Sequence, residues 1–120
     1  MFGALDISTS GLVAQRVRLT TVSANIANAH STRDEQGRLN PYRRKVATFA
    51  EAMDKAGRPR GVSVAGVVDD PSVLRKVFDP GHPDAVEGYV TYPNVDLATE
   101  YVNALEATRA YEANITAIEA

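Results

Sequence analysis

Two long segments at the ends of this chain share one sequence pattern, and the segment between them follows another. Residues 5–30 and 94–120 contain no proline and space their apolar side chains with the period of a helix. The intervening residues hold the prolines, most of the glycines and several short runs of β-branched residues. Because each terminal helix has an apolar face too narrow to fold alone, we expect the two helices to pair around a folded insertion.

The first helix is predicted to carry a seam of large apolar residues. Leu12, Leu19 and Ile26 are spaced by seven residues, and Val22 lies between the last two. This spacing is typical of a coiled coil. The helix should end within residues 25–29, because asparagine tolerates the left-handed backbone that often closes a helix.

Four short strands are predicted in the middle of the chain. They cover residues 41–49, 62–68, 74–78 and 89–92, which are rich in β-branched and aromatic side chains. The first begins at a proline and carries basic residues, as edge strands often do. So small a β unit is expected to depend on its surroundings for stability.

The last helix is predicted to start at Asn94 or Asp96, either of which can cap it. Its acidic side chains oppose Arg16 and Arg18 of the first helix, although exposed ion pairs contribute only about 0.2–1 kcal/mol each. The apolar seam must therefore hold most of the pair together. The stripe expected to face the first helix consists of Leu97, Tyr101, Leu105, Thr108, Ile115 and Ile118.

The predicted fold class is α+β. Long N- and C-terminal helices pair as an antiparallel coiled coil, with a small β-rich insertion between them. The expected division assigns residues 1–31 to the N-terminal helix of a helical core and residues 32–92 to a β-rich outer domain. Residues 93–120 then supply the C-terminal helix of the core.

The bulk composition argues against several classes of protein. Thirteen basic and fifteen acidic residues give a net charge of −2, so neither nucleic acid nor an anionic membrane is expected as a partner. The chain has no cysteine, which excludes disulfides and thiolate chemistry. No apolar run is long enough for a secretory signal or a membrane span. A small nucleic-acid-binding helical module remains an alternative, although the acidic last helix opposes it.

One turn contains the residue types of an acid–base or metal site. Asp79, His82 and Asp84 lie close together, but two prolines make the turn rigid and a second cluster of ligands is missing. We therefore expect a turn that determines shape, with Gly81 supplying a sharp reversal that needs positive φ. No metal, cofactor or catalytic residue is predicted. A hydrolase using His82 with Asp79 is a weaker alternative.

Three consecutive cations, Arg43, Arg44 and Lys45, follow a proline and admit three interpretations. They suit binding of a phosphate backbone, protection of a sheet edge against mispairing, or contact with the acidic face of an adjacent subunit. In a net acidic protein such a run more often protects a sheet edge than binds phosphate. Of the three interpretations we favour the contact with an adjacent subunit.

Stretches along almost the whole chain resemble the flagellar basal-body rod proteins, most closely their C-type proximal rod members. The matching stretches are ISTSGL with AQR (7–16), SANIANA (23–29), PYRRK (41–45), DPGHPD leading to YPNV (79–95), and TRAYEAN (108–114). The serine–asparagine segment is shared by rod, hook and related axial proteins. The stretch at 79–95 is the more specific one and points to the C type.

The resemblance implies a structural subunit of the bacterial flagellar proximal rod, a helical assembly that transmits torque and encloses the export channel. It implies that the terminal helices form an inner layer around that channel. It also implies export by the flagellar type III system without a cleaved signal, to a periplasmic position in the basal body. The implied partners are other rod subunits, copies of itself, and the membrane-ring and export-gate base. Another axial protein, such as the B-type rod subunit, is the alternative.

Residues that hold the assembly together are predicted from the seam and from the resemblance. Asn25 and Asn28 are either interaction residues for a neighbouring subunit or local caps of the first helix. The predicted assembly residues are Leu12, Leu19, Val22, Asn25, Ile26, Asn28, Arg43, Arg44, Tyr101, Leu105, Tyr111 and Asn114.

Overall fold

A computed structural model describes residues 2–119 as an elongated molecule measuring 62 × 27 × 22 Å. The α+β class is confirmed, with long helices at both ends and short antiparallel strands between them. Neither helix is long and apolar enough over the described residues to cross a membrane. In chain order the elements are α1 (Phe2–Ala27), β1 (Lys45–Met53), β2 (Pro59–Asp69), β3 (Arg75–Phe78), β4 (Tyr89–Tyr92) and α2 (Leu97–Glu119).

The two helices pack side by side and antiparallel. Asp96 caps α2 by accepting the Ala98 N–H at 3.0 Å. The contacts along the pair join Asn25 to Glu100, Arg18 to Glu106, and Gly11 to Asn114.

The line of α1 residues that meets α2 lies one position before the predicted seam. Gly11, Arg18 and Asn25 follow one another at seven-residue steps and contact α2. Val22 is buried in the core, as expected for a seam residue. Because α1 also packs against β1 and β2, its apolar residues are divided between two partners. The other predicted seam residues are therefore only half-buried: Leu12, Leu19 and Ile26.

The predicted inward stripe of α2 is wrong at its centre. Tyr101 and Leu105 are 58% and 54% exposed, and Thr108 is exposed as well. The helical period was correct, but the small residues Ala104 and Ala107 face inward instead. Small side chains let the two helices approach closely, which turns the large ones outward. Nearer its ends α2 follows the prediction, with half-buried Leu97, Ile115 and Ile118.

The strands β1 and β2 form an antiparallel hairpin that lies along α1. Its pairs run from Lys45 opposite Asp69 to Met53 opposite Pro59. The hairpin contacts α1 closely, since the Val62 N–H donates to the Ser10 hydroxyl at 3.2 Å. The hairpin extends further at its turn than predicted. The strand β1 continues to Met53 instead of ending at residue 49, and β2 begins at Pro59 instead of residue 62.

The predicted start of the first strand at residue 41 is wrong, and β1 begins at Lys45. The residues before it bond elsewhere. The Tyr42 N–H donates to the carbonyl of Ser31 at 2.9 Å, and the Arg44 N–H donates to the side chain of Asn94 at 2.7 Å. These partners replace the ladder bonds of a strand.

The strands β3 and β4 form a second hairpin, and β4 has the predicted bounds. Near it, Glu87 and Gly88 form a tight turn with φ of 52° and 85°, the geometry of a two-residue type I′ hairpin turn. The expectation of positive φ at Gly81 is wrong. Positive φ occurs at Gly88 instead, and a Cβ on Gly81 would lie 3.9 Å from the Asp79 carboxylate.

Candidate assembly interface

A buried carboxylate links the helix pair to the hairpin. Glu100 lies in the first turn of α2 and is 0% exposed. Its Oε1 forms an ion pair with Arg44, and its Oε2 accepts the side-chain amide of Asn25 at 3.4 Å. Both charges are therefore satisfied inside the fold, as a buried ion pair requires.

The side chain of Asn25 fastens the start of β1 to α1. It is 1% exposed. Its Oδ1 accepts the Lys45 N–H at 2.9 Å and the Tyr42 hydroxyl at 2.8 Å, while its Nδ2 donates to the Lys45 carbonyl at 2.9 Å. Burial and the neighbouring Glu100 raise the pKa of Tyr42. Asn25 thus serves contacts within the chain and does not cap its helix.

The side chain of Asn28 behaves differently and closes the end of α1 locally. Its Nδ2 donates to the carbonyl of Ala24 at 2.9 Å, and its Oδ1 accepts the Ser31 hydroxyl at 3.0 Å. This geometry favours the capping interpretation for Asn28.

The guanidinium of Arg44 joins three segments. It pairs with Glu100 and reaches Asp70 at 3.1 Å. The bond to Glu100, followed by that to Asp70, raises the pKa of Arg44 above its usual value despite partial burial. Hydrogen bonds from Ser72, ahead of that from Arg44, hold the pKa of Asp70 below its usual range.

The other two cations of the basic run also make contacts within the chain. Arg43 donates to the carbonyls of Asp70 and Ser72 at 3.1 and 2.8 Å, and Lys45 pairs with Asp69. A contact of this basic run with an adjacent subunit stays a prediction, to which the structure adds these intrachain roles.

The Asp79–Asp84 turn is anchored to the loop that follows α1. The buried Asp84 carboxylate accepts the Thr32 hydroxyl at 2.5 Å and Arg33 Nε at 2.8 Å. These bonds, with Thr32 the larger cause, lower the pKa of Asp84. His82 accepts the Asp84 N–H at Nδ1, at 3.0 Å. Across residues 2–119, no cluster of three or more His, Asp or Glu side chains is arranged to hold a metal.

Large apolar side chains are exposed on the side of α2 away from α1. We call Tyr101, Val102 and Leu105 the outer face of α2; each is more than half exposed. A contiguous apolar patch of this kind on a folded chain usually marks an interaction site. Two further predicted residues, Tyr111 and Asn114, are half-buried.

The solvent-facing side of α1 is narrow and carries little charge. We call the residues at its three- and four-residue steps the outer stripe of α1, and all of them are exposed. Arg16 is the basic member and Val13 is the large apolar one. The stripe consists of Thr9, Val13, Arg16, Thr20 and Ser23.

Sequence reasoning missed the burial of Glu100 and the anchoring roles of Asn94 and Asp84. Glu100 looked like an ordinary acid in the first turn of a helix, where carboxylates are common. Its partner Arg44 is 56 residues away, so the two were not connected by any local spacing.

Comparison with known proteins gives matches over nearly the whole chain. The family described as flagella basal body rod protein matches residues 5–33, and the family described as flagellar basal body rod FlgEFG protein C-terminal matches residues 86–120. The chain is 40% identical to flagellar basal-body rod protein FlgC of Bacillus subtilis, over 99% of this chain and 89% of the relative. The FlgC proteins of Yersinia enterocolitica and Salmonella typhimurium are 42% and 39% identical, each over 96% of this chain and 85% of the relative.

Proposed function

This chain belongs to the FlgC family of flagellar basal-body rod proteins and is a structural subunit of the flagellar proximal rod, and we propose that it builds that rod by helical assembly. Its neighbours are other rod subunits and copies of itself, and the assembly transmits torque around an enclosed export channel. We assign residues 1–31 and 93–120 to the inner, channel-side layer and residues 32–92 to the outer one.

The observation that carries this proposal is the outer face of α2. Tyr101, Val102 and Leu105 are exposed on a helix whose inward side holds Glu100. At this level of α2 the inward side carries Glu100 and alanines while the large apolar side chains face outward, which is the reverse of an ordinary surface helix. The inversion is explained if the outer face becomes buried against a neighbouring subunit.

The outer stripe of α1 on the next subunit is the partner we assign to this face. Its small residues allow close approach, and Val13 supplies apolar area. Arg16 on the stripe and the exposed Glu112 on α2 have opposite charge. A contact between two different faces leaves one face free at each end of a row of subunits, so further subunits can add. It builds an open helical assembly when the rotation between neighbours does not close a ring.

The remaining assignments follow from family membership. The subunit belongs to the basal body, and we place it in the periplasmic rod, after export by the flagellar type III system without a cleaved signal. The membrane-ring and export-gate base are the proposed partners at the foot of the rod. Neither nucleic acid nor direct membrane insertion has a role in this proposal, and its residues act in assembly rather than in catalysis.

Substitution of Leu105 by Asp tests the proposed contact. Because Leu105 is exposed, we expect the free energy of unfolding to change by no more than about 0.5 kcal/mol. Incorporation into rods and swimming should nevertheless be lost, because a neighbour would have to bury an unpaired carboxylate. Urea unfolding of the purified chain and immunoblotting of isolated basal bodies measure the two effects.

The matched control is Leu39→Asp, which changes a similarly exposed leucine in the loop after α1. This variant should be incorporated normally. Normal rods built from the Leu105 variant would show that the outer face of α2 is not an assembly contact.

A further inference from the structure

An open groove lies between α1 and β2, beside the outer stripe of α1. We call it the α1–β2 groove, and it has a volume of about 350 Å³. Valine side chains of both elements form its walls, and Val13 and Val67 are 54% and 50% exposed. Apolar walls that stand open to solvent on a folded chain usually mark an interaction site. The residues that line the groove are Val13, Arg16, Val17, Thr20, Thr21 and Val67.

One end of the groove is polar. The Thr20 hydroxyl donates to the carbonyl of Arg16 at 3.0 Å, and the Thr21 hydroxyl donates to the carbonyl of Val17 at 2.8 Å. Because these bonds use the hydroxyl hydrogens, the two oxygens are left as acceptors, and the exposed guanidinium of Arg16 supplies donors at the rim. A side chain that fits the groove therefore has an apolar body and a tip that both donates and accepts, as a phenol has.

Tyr101, on the outer face of α2, is the tyrosine that meets this description. It is 58% exposed, whereas Tyr89 is 48% exposed and packs edge-on against Phe78 with ring centroids 5.2 Å apart. An engineered apolar cavity of ~150 Å³ holds benzene, so the α1–β2 groove has room for the Tyr101 ring. The remaining tyrosines are half-buried: Tyr42, Tyr92 and Tyr111.

The groove and Tyr101 lie on different sides of the helix pair. Val13 and Thr20 each follow by two positions a residue that contacts α2, Gly11 and Arg18. Two positions correspond to about 200° around a helix, so the groove opens on the far side of α1 from α2. A chain cannot fill its own groove with Tyr101, and the occupant has to come from another copy.

We propose that Tyr101 of one subunit inserts into the α1–β2 groove of the next copy of this chain. The insertion rests on the proposed function, because it deepens the contact between the outer face of α2 and the outer stripe of α1. It adds Val67 of β2 as a wall of that contact, so the hairpin and the helices of one subunit hold the neighbour together. A side chain and a groove on different faces form a heterologous contact.

An exchange of ring positions tests the proposal. Tyr101→Ala removes the inserted ring and Val67→Phe fills the groove, so each variant should be lost from isolated basal bodies, as measured by immunoblotting. The double variant should be incorporated again, because the ring at position 67 occupies the space that the missing ring leaves. Both positions are exposed, so urea unfolding of the purified chains should stay close to that of the parent.

Val68→Phe is the matched control. Val68 is also 50% exposed, but neighbouring residues of a strand point to opposite faces. This variant should be incorporated, and it should not rescue Tyr101→Ala. The proposal is overturned if Tyr101→Ala or Val67→Phe is incorporated normally, if the double variant stays excluded, or if Val67→Phe and Val68→Phe behave alike.

Cross-linking tests the same contact without added bulk and with Tyr101 in place. The chain has no cysteine, so Ala98→Cys, at an exposed position one turn before Tyr101, marks the outer face of α2. Combined with Val67→Cys in one chain, it should give a ladder of multimers when basal bodies are treated with a short bifunctional thiol reagent. Ala98→Cys combined with Val68→Cys should stay monomeric.

A second pair separates failure of the insertion from failure of the proposed function. Thr9→Cys and Ser23→Cys mark the outer stripe of α1 outside the groove, and each is combined with Ala98→Cys. A ladder from either of these pairs but not from Val67→Cys would leave the proposed helix contact standing and overturn the insertion. Incorporation of every variant with no ladder from any pair would overturn both.

Discussion

The interior of this molecule buries polar side chains beside a small apolar core, while its surface exposes large apolar side chains. The interior holds Glu100 and Asn25, while Tyr101 and Leu105 stand in solvent one position and five positions after the buried carboxylate. In an ordinary soluble domain, large apolar residues such as Tyr101 and Leu105 would be buried and would stabilise the fold. Polar residues such as Glu100 and Asn25 would be exposed and would keep the domain soluble. The contrast teaches that buried polar contacts fix the shape of this subunit together with a small apolar core that includes Val22, Val90 and Val95, and that several of its large apolar residues are left for its neighbours.

Among substitutions of interior residues, Glu100→Ala should lower the free energy of unfolding the most. Removing one partner of a buried ion pair leaves the other without compensation, and we expect a loss of about 3 kcal/mol in the free energy of unfolding. The value lies at the lower end for such pairs because Arg44 keeps Asp70 at 3.1 Å. Urea unfolding of the purified chain measures it.

The control for Glu100→Ala is Glu112→Ala, which removes an exposed carboxylate from the same helix. Its effect should stay within about 0.5 kcal/mol. Equal losses of unfolding free energy for the two variants would mean that the buried carboxylate contributes no more to stability than an exposed one.

A smaller effect is expected for Gly88→Val, which disturbs the tight turn beside the exposed rings of Phe78 and Tyr89. Gly88 has a φ of 85°, and a Cβ there would lie 3.0 Å from the Phe78 ring. Strain from the backbone alone should cost about 1–3 kcal/mol. Thermal unfolding should show the loss, whereas Gly81→Val, where the space is open, should unfold close to the parent temperature. A greater loss at Gly81 would contradict the assignment of the strained turn.

The smallest effect should be a dependence of stability on acid that is centred on Asp84. Its pKa is lowered in the folded state by Thr32 and then Arg33, so the folded chain favours the ionised form. This stabilisation is complete above the ordinary carboxyl pKa near 4 and is lost as pH falls through the lower folded pKa.

The free energy of unfolding measured between pH 7 and pH 2 checks this expectation. The parent chain should lose stability below about pH 4 more steeply than Asp84→Asn does. Asp70, whose pKa is lowered mainly by Ser72, should leave part of the slope in the variant. Parallel plots of unfolding free energy against pH for the two chains would show that the pKa of Asp84 is the same in the folded and unfolded states.

Sequence alone was sufficient where the signal is local. The helices, the bounds of β4 and the burial of Val22 follow from periodicity and residue type, which act over a few neighbouring residues. The extended segment before β1 was mistaken for strand because Tyr42 and Arg44 bond to distant partners instead of a ladder.

The sequence did not show in the same way which side of α2 packs against α1. Tyr101 and Leu105 fit a helical stripe, but periodicity does not say whether a stripe is covered by the same chain or by another. The usual rule, that the apolar side faces the chain's own core, therefore selected the wrong side. Glu100 was missed for a related reason, since the burial of a carboxylate depends on a cation brought to it by the fold.

The hairpin's course along α1 has a mechanical consequence. Its strands lie along the length of the helix, with Val62 beside Ser10 at one end and Lys45 beside Asn25 at the other. The ladder hydrogen bonds run across the strands, so a pull along the strands loads them together, in shear. A pull across the strands would open the same bonds one at a time. The hairpin therefore resists a load directed along its strands better than a load that pulls the two strands apart sideways.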